Sequence, residues 1–133
     1  MQQKLEPGYE RYVKERLAKY EEAYSIMAKR DIKEVLAQAA IFWDFELYFE
    51  MHELLEFEWK KAEGDRRRAL QGLIRAAGMK IHAENNNRKA AISMGGKALT
   101  DLANYCGELR GFDKLEAILA EIEKTLGTAQ STT

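Results

Sequence analysis

Apolar side chains recur along this chain at steps of three and four residues, the spacing of a helix face and not the alternation of a strand. After Pro7-Gly8, the stripe Tyr9, Val13, Leu17, Tyr20, Tyr24 and Met27 predicts a helix over about 9–28. Asp31 followed by Glu34 is a capping-box pattern that opens a short second helix over about 32–42. The apolar phase shifts around Trp43-Asp44-Phe45, where Asp44 can cap a third helix running to about Ala62, before the polar turn Glu63-Gly64-Asp65. Leu70, Leu73, Ile74, Ala77 and Ile81 stripe a fourth helix over about 66–82, stopped by Glu84-Asn85-Asn86-Asn87. A fifth, over about 88–106, contains Gly95-Gly96 and is expected to bend there, since each glycine costs about 1 kcal/mol relative to alanine in a helix interior. Asp113 with Glu116 repeats the capping-box pattern before Leu115, Ile118, Leu119, Ile122 and Leu126.

These elements predict an all-α fold, a compact bundle of five to six helices in one domain over 1–126. Its centre is an antiparallel hairpin of helices over about 45–62 and 66–83. The residues GTAQSTT (127–133) are small and polar and are expected to form a disordered tail. With 133 residues the chain is long enough to bury a continuous core.

Composition narrows the function classes. Lys plus Arg number 21 against 22 Asp plus Glu, a net charge of −1, so no global field gathers nucleic acid or an anionic membrane. No run approaches the roughly 18 apolar residues of a membrane span. Cys106 is the single cysteine, which excludes an internal disulfide and fits a reducing, cytoplasmic location. No nucleotide or flavin motif is present.

The stretch MHELLEFEW (51–59) carries the candidate chemistry. On a helix, Glu46, Glu50, Glu53 and Lys60 share a solvated stripe, whereas His52 and Glu56 fall among Phe45, Tyr48, Phe49, Leu55 and Trp59. A buried imidazole and carboxylate demand partners, so His52→Ala or Glu56→Ala is expected to cost about 1–3 kcal/mol. The following helix offers Gln71 opposite Glu56, with Arg75, Gly78 and His82 on the same strip. A hairpin about Gly64 sets His82 level with Glu46, away from His52, which argues against a tight site using both histidines.

The runs YFEMHELLEFEW (48–59), LQGLIRAAGMKIHAENN (70–86) and RGFDKLEAIL (110–119) resemble, in order, the motifs of the family known as domain of unknown function 309. The matching positions are His52, Glu53, Leu55, Glu56 and Trp59, then Gln71, Gly72 and His82, then Gly111 and Asp113. The resemblance implies a small helical protein and marks these residues as a signature.

Two functional expectations follow. In the first, this is a ligand-binding or interaction module whose His/Glu/Gln cluster, with Trp59, Gln71 and Arg75 as binding residues, orients a small molecule or protein partner. The alternative is a metal-dependent hydrolase with His52, Glu53, Glu56 and His82 as candidate catalytic groups, and His52, Glu56 and His82 as candidate ligands of a divalent metal. The His-Glu-x-x-Glu spacing lacks the second imidazole that makes His-Glu-x-x-His specific. A tyrosine-lined first helix also allows homo-oligomerisation.

Overall fold

The computed structural model describes residues 7–130. Among them are α1 (Pro7–Lys29), α2 (Val35–Asp44), α3 (Tyr48–Lys61), α4 (Gly64–Glu84), α5 (Arg88–Tyr105) and α6 (Leu115–Gln130), with a 3-10 turn at Cys106–Glu108 and no strand. The all-α expectation is met, and among the described residues no helix is long and apolar enough to cross a membrane. The expected polar tail begins instead as the last turn of α6, which runs to Gln130; residues 131–133 lie outside the described residues.

α4 is the central helix, packing most extensively on α5 and next on α3, while α6 packs on α5. Leu70, Leu73 and Met79 of α4 are fully buried, as are Met51 and Leu55 of α3, Leu102 of α5 and Ile118 and Ile122 of α6. The close approach of α4 and α5 depends on glycine. A Cβ on Gly72 would lie 2.9 Å from Leu102 Cδ2, and one on Gly95 would lie 2.9 Å from Met79 Sδ. Gly95-Gly96 therefore sits inside a continuous α5. Its first glycine serves close packing, not a bend.

Two helix starts differ from the sequence reading. Asp31 has φ 52°, the left-handed conformation that closes α1, and a residue in that state cannot take the extended backbone of an N-cap. The cap passes to Glu34, whose carboxylate accepts from Ala37 N at 2.9 Å, so α2 starts three residues late. It then continues through Asp44, whose carboxylate pairs with Lys114 Nζ at 3.1 Å instead of capping α3. The corner between them places Glu46 at φ 58° and buries Leu47 completely, and α3 starts at Tyr48 with no side-chain cap. Core burial of Leu47 outweighs the missing cap.

Candidate ligand-binding groove

α3 and α4 are joined by Ala62-Glu63, and Gly64 enters α4 with φ 63°. The chain reverses there, so residues that rise along α3 meet residues that descend along α4. Met51 and Leu55 point into the core. His52 and Glu56, rotated by one residue or about 100°, come to the edge of the core and not into it.

Along that edge runs a groove of about 420 Å³. His52, Glu56 and Trp59 form the α3 wall, Gln71, Ile74, Arg75 and Gly78 the α4 floor, and Met94 and Lys97 the α5 wall. The small Gly78 leaves the floor low, since its hydrogen faces the flexible Met94 side chain. Arg75 donates to Asp101 Oδ2 at 2.7 Å and so ties the floor to α5. Arg67 lies over the Trp59 ring at 3.9 Å, closing the end of the groove with a cation over an aromatic face. Among the described residues, Gln71 and Lys97 have no hydrogen bond or ion pair within the chain. No Glu56–Gln71 hydrogen bond forms, contrary to the sequence expectation.

The polar pair at the groove's edge is more exposed than expected. The side chains of His52 and Glu56 retain 29% and 43% of their exposure, and no polar or charged residue is buried among the described residues. Phe49, expected in the stripe around His52 and Glu56, is exposed. His52 Nδ1 lies 3.5 Å from Glu56 Oε2 and 3.6 Å from Glu53 Oε1, too long for strong hydrogen bonds but close enough for ion pairing. A ligand atom from each of His52, Glu53 and Glu56 falls within 4.8 Å of the others.

His82 joins neither the groove nor this trio. It sits in the last turn of α4, where its carbonyl accepts from Asn87 N at 2.9 Å. It therefore does not stand beside His52, whereas Glu53 does. Gly111 and Asp113 are also elsewhere, lining a separate pocket with Arg30, Asp44 and Lys114. Gly111 has φ 100° and lies against Glu34, so glycine is required for the turn itself. Of the Glu46 and Glu50 stripe, expected in solvent, Glu46 is exposed as expected whereas Glu50 is half-buried against α1. Arg16 donates to both Glu50 oxygens at 2.7 and 2.8 Å, and Lys19 approaches Glu46 at 3.5 Å.

The α5 contributors Met94, Lys97 and Asp101 were absent from the sequence reading. Their spacing of three and four residues offered a weak signal, because α5 alone does not reveal which of its faces meets α4.

Residues 36–94 match the family described as "Domain of unknown function (DUF309)", a span that includes every α3 and α4 residue of the groove. The chain is also similar to a protein from Aquifex aeolicus (strain VF5) named "Uncharacterized protein", 31% identical over 98 residues. That similarity covers 73% of this chain but 29% of the relative, so the chain spans less than a third of the relative's length. No solved structure matches the chain.

Proposed function

We propose that this chain, which belongs through residues 36–94 to the domain of unknown function 309 family, is a binding module whose α3–α4–α5 groove takes a small polar molecule bearing an anionic group. One observation carries the reading: two separate signature segments converge on a groove in which Gln71 and Lys97 have no partner among the described residues. The volume, about 420 Å³, is in the range of small-molecule sites. Lys97 supplies a mobile cation for the anionic group, with the Arg75 guanidinium beside it. Gln71 offers both a donor and an acceptor, and the His52–Glu56 pair receives a donor at the far end. Ile74, Met94 and Trp59 supply the apolar walls. The single, exposed Cys106 supports a reducing, cytoplasmic setting for this role.

The test is a two-dimensional amide NMR titration with a panel of small carboxylates and phosphates. Shifts should concentrate on 52–59, 71–78 and 94–101, and Lys97→Ala should weaken any binder while Lys97→Arg retains it. Binders equally tight to a Gln71→Ala/Lys97→Ala double variant would refute the groove.

A second reading, a metal-dependent hydrolase, is favoured by the mutual proximity of His52, Glu53 and Glu56. These three would hold a divalent ion, which when bound acidifies a water ligand and supplies a hydroxide nucleophile. Elemental analysis of protein purified without chelator, parent beside His52→Ala, tests it. Near-stoichiometric metal in the parent that is lost in the variant supports it, and equal metal content in both removes it.

A further inference from the structure

Among the described residues, the large apolar side chains left exposed all lie on two helices. Tyr9, Tyr12, Leu17, Tyr20 and Tyr24 are on α1, and Phe49 and Phe57 are on α3. The two sets meet in a groove of about 550 Å³, where Tyr20 and Tyr24 face Phe49 and Phe57 with Glu50 and Glu53 on the wall. From Gly8 to Glu22 no α1 residue is buried, and the first buried α1 side chain is Ala23. Four turns of helix thus bury no side chain and are held to α3 and its entry corner by the pairs Arg16–Glu50 and Lys19–Glu46, although helices lacking apolar packing are marginal in water.

We propose that this face is a self-association surface, on which α1 of a second copy of the chain packs antiparallel to α1 across a two-fold axis near Leu17. The choice of occupant rests on charge register. Lys14 and Glu21 are seven residues apart and so lie within about 20° of each other on one flank of the exposed stripe. Neither has an ion pair with another described residue. In an antiparallel pair of identical helices each flank meets the same flank of its partner, so residues pair when their numbers are symmetric about the axis. Lys14 of one copy then meets Glu21 of the other for an axis between Leu17 and Ala18. On the opposite flank, Glu15 meets Lys19, whose ammonium also lies 3.5 Å from Glu46 of its own copy, for an axis at Leu17. Two independent pairs of opposite charge thus select nearly the same axis.

The apolar positions agree with it. Tyr9 of the second copy falls level with Ser25 and Ile26, and Tyr12 level with Glu22 and Ala23, each within one turn of Tyr24 at the groove between α1 and Phe49 and Phe57. At about 1.5 Å per residue, the 23 residues of α1 give a seam of about 35 Å. An isologous contact of this kind closes on itself as a dimer.

Sedimentation equilibrium of the whole chain over a wide concentration range tests the proposal. The parent should be a dimer, and Leu17→Glu, at a position exposed in the protomer, should give a helical monomer. Lys14→Glu and Glu21→Lys should each weaken self-association about tenfold, because each puts like charges at both symmetry-related contacts. An equimolar mixture of these two variants should recover the parent affinity, since every contact in the mixed dimer again joins opposite charges. A monomeric parent, or a mixture no tighter than its components, overturns the proposal and leaves the face to a different partner.

Discussion

Arg75 of α4 and Asp101 of α5 form a 2.7 Å ion pair in which the arginine side chain is about one-third exposed and the aspartate about one-seventh. The pair joins the two helices in most extensive contact and sets the floor of the candidate groove.

Removing the guanidinium strands a carboxylate with little access to water. Arg75→Ala should destabilise by roughly 1–3 kcal/mol, and Asp101→Asn by less, because the arginine head can turn to solvent. A double-mutant cycle followed by urea denaturation measures the coupling. Additive single effects would show that the pair contributes nothing beyond its separate side chains.

The two glycines Gly72 and Gly96 should respond to alanine with opposite signs. At Gly72 the new methyl meets Leu102 at 2.9 Å and Asp101 Cβ at 3.0 Å, so Gly72→Ala should cost about 1–3 kcal/mol by forcing α4 and α5 apart. At Gly96 nothing lies within 4 Å, and Gly96→Ala should stabilise by about 1 kcal/mol through helix propensity. Thermal melts of the two variants distinguish the sites.

Adjacent positions of α3 should also separate. Met51 and Leu55 are fully buried, and truncating either to alanine should cost about 2–5 kcal/mol. His52→Ala and Glu56→Ala should each cost less than about 1 kcal/mol, since both side chains keep substantial solvent access. This revises the larger cost expected from sequence, and equal losses at positions 51 and 52 would contradict the observed rotation of the helix.

Stability should fall at alkaline pH. Burial, then the carboxylates of Glu46, Glu84 and Glu121, holds the Tyr48 phenol well above its ordinary value. The Tyr20 hydrogen bond, followed by burial, pushes Tyr24 up to about 12. Above pH about 10 the unfolded chain releases these protons while the folded chain keeps them, so stability is full below that pH and is lost as pH rises toward 12 and beyond. Denaturant midpoints measured from neutral to alkaline pH should decline less in Tyr48→Phe than in the parent.

The helices were legible because their signals are local: a 3.6-residue apolar period needs only neighbours on one helix to declare it. The stripes of Leu70 to Ile81 and Leu115 to Leu126 accordingly lie within α4 and α6 as observed. The same periodicity put His52, Glu56, Trp59, Gln71 and Arg75 on facing strips, and these do line one groove. What failed was whatever depended on a competing long-range contact. Asp31 and Asp44 both have the chemistry of a cap, yet one closes α1 in a left-handed turn and the other pairs with Lys114, some 70 positions away. Lys97 and Asp101 entered the site because Gly72 and Gly95 let α5 settle against α4, and His82 left it because the hairpin places it in the last turn of α4, beyond the groove. The depth of His52 was decided by a rotation of about 100° from Met51, which places one side chain in the core and its neighbour at the rim. Periodicity names the face of a helix, but only packing against the other helices determines how far around that face the water reaches.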